Sequence, residues 1–235
     1  MPGFTGGAYQ FTPDALQLVG EARLAYIRKV YSYFGFGILT AAGGALLAMN
    51  SDLVFFAQQN RLMMFVVYLG AFFLAQSTEE RPNYAFPTML LFTTISGVTL
   101  SPLLYAMVHS LIPGSGPQMI YDALLLTGIV FGGLTVYVFI TKKDFSNYYA
   151  TILIGFLVLF GALILNFFLH SSILDLSLSI IGTLVFSGFV LVHTSIITQR
   201  ANQFPPTRAA LWLYLDFVNL FVFILRLLMG GRGRR

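Results

Sequence analysis

Three side chains near the C-terminus stand where an apolar segment should have none. In LWLYLDFVNLFVFILRLL, beginning at Leu211, a carboxylate (Asp216), an amide (Asn219) and a guanidinium (Arg226) interrupt Leu, Phe and Val. Each is costly to remove from water, and an ionisable group inside such a run marks an ion or proton pathway with a partner nearby. The candidate partner is His193, in the preceding apolar run. His193 lies six residues before Gln199, and Asp216 eight residues after Arg208. At the helical rise these are matching depths of roughly 9 and 12 Å. The link RANQFPPTR is short and carries the Pro205, Pro206 pair, so the two helices are expected to turn back on each other as antiparallel neighbours. An imidazole and a carboxylate that meet there form either an ion pair or a neutral hydrogen bond, and both forms respond to pH. His193 and Asp216 are therefore expected to meet as a buried titratable pair. Asn219 follows Asp216 by three positions, so it shares its helical face and is expected to add a neutral donor and acceptor. Arg226 stands ten residues further along than Asp216, roughly 15 Å on the axis, where it reaches the interface or makes a structural contact.

Such groups must be carried by membrane helices. The 235 residues are 57% hydrophobic and 9% charged, leaving too little polar surface to enclose a water-soluble core. Uncharged runs recur at about the 20-residue length that spans hydrocarbon, without the alternation of a β-barrel. Spans are expected at about 30 to 49, 62 to 77, 85 to 108, 119 to 140, 147 to 169, 176 to 199 and 209 to 229. The fold class is an all-α integral membrane protein with seven transmembrane helices. The chain divides into an N-terminal segment, 1–26, a seven-helix domain, 27–229, and a basic tail, 230–235. Thr12, Pro13 and Asp14 offer a cap, a first-turn proline and a first-turn acid, which predicts a short surface helix before the first span.

The 13 Lys and Arg against 9 Asp and Glu give a net charge of +4, with the cations near segment ends. That pattern reports topology, not nucleic acid, and the expected partner is the lipid bilayer. Arg23, Arg28, Lys29, Arg81, Lys142, Lys143, Arg200 and Arg208 fall on one side of alternate connections and Arg61 on the other, which puts the N-terminus in the cytoplasm. The tail GGRGRR opposes this: either the last segment crosses fully, or it re-enters and returns. Cysteine is absent, which excludes disulfides, thiolate metal ligands and Cys nucleophiles. No metal or cofactor is expected.

Small residues suggest close helix packing at Gly128 and Gly132, spaced as GxxxG, and at the Gly43, Gly44, Ala45 cluster. Pro102 removes a backbone hydrogen bond inside the third span and should kink it, with Ser101 placed to serve the freed carbonyl. Thr93, Ser96, Gln76 and Asn166 are read as interhelical packing groups.

At HTSIITQRAN and LWLYLDFVNLFVFILRLL the chain resembles the Bax inhibitor family, the transmembrane Bax inhibitor motif proteins. LFTTISGVTLSPLL and IRKVYSYFGFGILTAAG are similar to the family pattern as well, so the resemblance runs from Ile27 onward, with segments in order. It implies two groups of three helices around a central C-terminal helix, and a proton-sensitive pair of aspartates that controls a calcium leak. One aspartate maps onto Asp216. The other falls on His193, followed by Thr194 and Ser195 as supporting polar residues, and this is a departure at a key position. Ser96 stands near where the family's third helix often carries an acid. Two carboxylates can share a proton and titrate as one unit, whereas an imidazole and a carboxylate attract. Ca²⁺ takes six to eight oxygens, and one evident carboxylate weakens a calcium site.

The resulting expectation is a pH-responsive cation leak, of calcium or protons, serving ion homeostasis in the cytoplasmic (inner) membrane if the source is bacterial. The alternative is a non-conducting regulator that binds a membrane protease or a cell-survival partner. An enzyme is not expected: Ser96 in TISG lacks the glycine of a GxSG nucleophile motif, and Asp216 in YLD lacks a GxGD setting. Ser187 and His193 are six apart on one helix, roughly 240° around it, and cannot form a dyad. A seven-helix receptor is disfavoured by the cytoplasmic N-terminus, and no lysine in the last span could attach retinal.

Overall fold

A computed structural model of the protein describes residues 13–109, 115–201 and 203–232. Eight α-helices run through them: α1 (Pro13–Met49), α2 (Leu53–Gln59), α3 (Arg61–Thr78), α4 (Pro82–Val108), α5 (Ser115–Thr141), α6 (Tyr149–Leu169), α7 (Ser172–Gln199) and α8 (Pro206–Arg232). Seven of these are long and apolar enough to cross a membrane, all but α2. Apart from the start of α1, the observed helix ends fall within a few residues of the expected spans, because a helix ends where its backbone is capped, not where its side chains turn polar.

Two segments differ from expectation. The helix beginning at Pro13 continues without a break to Met49, so the separate surface helix is the first part of α1. The expected cap at Thr12 and the terminal Arg234 and Arg235 lie outside the described residues. The seven-residue α2, which falls between the first two expected spans, buries Val54 and Ala57 against α4; at two turns it is too short for periodicity to reveal.

α8 lies against α1, α4, α5 and α7, and its closest packing is with α7. α1 pairs with α4, while α3 leans on α4 and α6 leans on α7 from outside. Burial follows: half of the apolar window of α8 is enclosed, against 6% of that of α6, whose Leu and Phe face outward. Tyr214, Leu213, Leu220 and Leu225 of α8 are among the fully buried side chains. The helix bearing Asp216 is thus a core helix, beside α7, whose apolar window is 56% enclosed.

The α1–α4 contact depends on two glycines. A Cβ on Gly97 would collide with the Ala41 carbonyl of α1, and one on Gly44 with the Thr94 carbonyl of α4. Beside them, the Thr40 and Thr93 hydroxyls share a 2.7 Å hydrogen bond. Gly128, Gly132 and Gly43 meet nothing within 4 Å. The expected GxxxG packing is therefore not used, since Gly128 is exposed on the outer face of α5. Pro102 sits inside an α4 that stays helical through it. It lacks the N–H that would reach Val98, and the Ser101 hydroxyl donates to that carbonyl at 2.8 Å.

Gly97→Ala should destabilise the protein by about 1–3 kcal/mol, as overpacked sites do. Gly128→Ala should leave it unchanged. Thermal unfolding of both variants in detergent measures the difference.

Candidate functional site

α7 and α8 are set side by side by their ends. α7 starts at Ser171, whose hydroxyl accepts the Leu174 amide, with Asp175 in the first turn. α8 starts after Pro205 with Pro206 in its first position, where a missing N–H costs nothing. Its first turn is tied to the end of α3: Arg208 grips Glu79 with Nε 2.6 Å from Oε2 and a second contact from Nη2 to Oε1. At the far end Arg226 reaches Asp175 at 3.6 Å, with both side chains partly exposed. Arg226 is thus a structural contact between α7 and α8, one of the two readings its position allowed.

Between these ties the imidazole and the carboxylate meet. Nδ1 of His193 lies 2.7 Å from Oδ2 of Asp216, and the residues are only 7% and 2% exposed. A donated Nδ1–H satisfies the carboxylate whether the ring carries one proton or two. Two rings stack on the imidazole: Phe189, with centroids 5.5 Å apart and 11° between planes, and Trp212 at 5.2 Å and 15°. Tyr149 of α6 closes the edge at 6.3 Å. Aromatic faces stabilise a cationic ring and exclude water from it. Phe189 is four residues before His193 and Trp212 four before Asp216, so each aromatic lies one turn from its polar neighbour on the same face. Sequence reasoning missed both, although that spacing and the single tryptophan were visible signals.

The supporting residues divide. Asn219 does not join the pair: its Nδ2 donates to the Leu215 carbonyl of its own helix at 2.7 Å. A shared face put it one turn away from Asp216, and the acceptor its amide reaches is a carbonyl one turn back in its own helix. Ser195 also points elsewhere, as it sits two positions past His193 on a helix. Its hydroxyl accepts the Phe145 amide at 2.9 Å and approaches the Lys143 carbonyl at 3.2 Å. Gln199 adds a bond to the Lys142 carbonyl at 3.1 Å. Together they fasten the α5–α6 turn onto α7. Thr194 faces the other way and is fully buried near Tyr31 and Thr135. The three hydroxyls approach one another without a hydrogen bond of good geometry. Thr93 and Ser96 belong to a separate layer around Tyr214, whose hydroxyl donates to the Thr93 carbonyl at 3.4 Å. Asn166 accepts the Ser171 amide between α6 and α7.

In the α5–α6 turn the hydroxyl and amide of Ser146 hold the Asp144 carboxyl below the usual carboxylate range, helped by Arg200 and Ser195. Among the described residues no group of three His, Cys, Asp or Glu side chains could hold a metal ion.

The chain is similar to known proteins over nearly its whole length. Residues 23–234 match the family model described as inhibitor of apoptosis-promoting Bax1. An uncharacterized protein of Campylobacter jejuni is 34% identical over 89% of this chain and 90% of its own. Protein lifeguard 4 of Mus musculus is 31% identical over 88% and 85%. Bax inhibitor 1 of Schizosaccharomyces pombe is 29% identical over 94% and 82%. A multi-pass α-helical membrane protein is the class that the fold defines. The chain belongs to the Bax inhibitor family.

Two outcomes test the turn. Ser195→Ala should speed hydrogen exchange of the Phe145 amide by about fivefold, the loss of about 1 kcal/mol expected for one hydrogen bond. The Asp144 contacts contribute fully above the ordinary carboxylate pKa and are lost as pH falls through the lowered folded value. Protection of the Ser146 amide, taken relative to its intrinsic exchange rate at each pH, should therefore fall on acidification into that range, and Asp144→Asn should show the lower protection already at neutral pH.

Proposed function

We propose that this protein is a pH-responsive cation leak, for calcium or protons, that serves ion homeostasis. The observation that carries this reading is the 2.7 Å contact between the buried His193 and Asp216, which bridges the core helix and its neighbour. As an ion pair or a neutral hydrogen bond, the contact has no net charge. A second proton leaves one positive charge in a water-poor interior, which is costly and weakens the attraction joining α7 to α8. The ties at Arg208–Glu79 and Arg226–Asp175 lie at either end of α8, so loosening is concentrated between them. In this reading Asp216 is the cation contact, His193 the group that holds it closed, and neither does covalent chemistry. The basic bias of alternate loops supports a cytoplasmic N-terminus, and in a bacterial cell the inner membrane is the matching location.

A second reading has a specific observation in its favour. The imidazole leaves a single carboxylate at the site, poor in oxygen for Ca²⁺. This suits a non-conducting regulator that binds a membrane protease or a cell-survival partner.

Flux into proteoliposomes discriminates between them. Calcium and proton entry, followed between about pH 5 and 8, should change with pH in the native protein and lose that dependence in Asp216→Asn. His193→Asp should shift the response, because two carboxylates share a proton where the native pair attracts. Identical fluxes in all three exclude the gate. Crosslinking in native membranes tests the second reading, which fails if the chain is recovered alone while flux is robust.

A further inference from the structure

A cleft of about 320 Å³ opens between the ends of α1, α5 and α7, at the same end of the bundle as the α5–α6 turn. Among the described residues α1 and α5 both rest on α7 and α8, and they meet each other through aromatic rings, Tyr31 beside Phe139 and Phe34 stacked on Phe131. α7 is the floor, through Thr198 and Gln199. The walls are apolar, with Leu24 and Ile27 from α1 and Val138 and Phe139 from α5. Leu24 and Phe139 are 54% and 39% exposed, so the cleft opens sideways toward lipid. At its mouth stand two cations from different helices, Arg23 and Lys142.

Lys142 is placed there at a conformational cost. Its φ of 53° lies in the left-handed region that a residue with a Cβ enters only when its surroundings impose it. What imposes it is α7: Gln199 donates to the Lys142 carbonyl and Ser195 to that of Lys143. The nearby carboxylate of Asp144 is engaged by Ser146 and Arg200.

We propose that this cleft binds an anionic phospholipid, with its phosphate between Arg23 and Lys142 and an acyl chain along Ile27, Val138 and Phe139. Charge at the mouth, hydrocarbon walls and a lateral opening fit one molecule that carries an anion and a chain together. A soluble anion would use only the first of these features, and a zwitterionic lipid would gain little from two cations. The floor of the cleft belongs to the helix that carries His193, so a lipid seated there bears on the helix that holds the buried pair.

Native mass spectrometry of the full chain in detergent, titrated with dioleoylphosphatidylglycerol, tests this. Each charge removed should weaken binding about fivefold, in Arg23→Gln and in Lys142→Gln, while Arg81→Gln leaves it unchanged. Dioleoylphosphatidylcholine should bind more weakly than the anionic lipid, and inorganic phosphate should not compete. Equal binding of the two lipids, unchanged binding in both cleft variants, or displacement by inorganic phosphate overturns the proposal. A photoactivatable phosphatidylglycerol on the native chain avoids any folding defect. Label within 20–27 and 138–142 supports the site, and label found only elsewhere overturns it.

Discussion

A carboxylate in hydrocarbon must find a proton donor, and in this protein Asp216 finds one in the imidazole of the adjacent helix. Much of the architecture follows from that need. α7 and α8 are the two most enclosed of the spanning helices, and they carry the groups least able to face lipid. α7 is its nearest neighbour because it supplies the answering ring. Aromatic side chains one turn away on each helix fill the space beside the ring, so that water does not. A pair of this kind contributes little net stability compared with an apolar core, but it specifies how two helices face each other.

The rest of the bundle keeps α7 and α8 in that relation with ordinary means. Glycines let α1 and α4 touch backbone to backbone, as small residues do where no hydrophobic drive brings helices together. Arg208 with Glu79 and Arg226 with Asp175 fix the two ends of α8, near the faces where charge is inexpensive. The α5–α6 turn is clasped by Ser195 and Gln199 at the cost of a left-handed Lys142. α7 thus meets three different demands on its successive faces: the pair, the buried hydroxyls around Thr194, and the clasped turn.

His193, standing where the family resemblance implies a second aspartate, alters what a buried pair at that place can do. Two carboxylates repel until a proton joins them, so their contact is strengthened by acid. An imidazole and a carboxylate attract until an extra proton is added, so their contact is weakened by it. The same pair of helix positions can therefore answer acidification with opposite sign.

Much was legible in one dimension. Seven spans, the order of the helices and the matching depths of His193 and Asp216 follow from run length and helical rise, because a bilayer imposes one length on every segment. The role of Ser101 beside Pro102 could be read locally, since it involves one turn of a single helix. What remained hidden needed the rotation of each helix about its axis, which depends on neighbours far away in sequence. Rotation decided that Gly97 and not Gly128 carries close packing, and that Ser195 clasps a turn while Asn219 bonds its own backbone. It also decided that Trp212 and Phe189 enclose the imidazole. Residue type and spacing say which groups share a face; only the packed bundle says what that face meets.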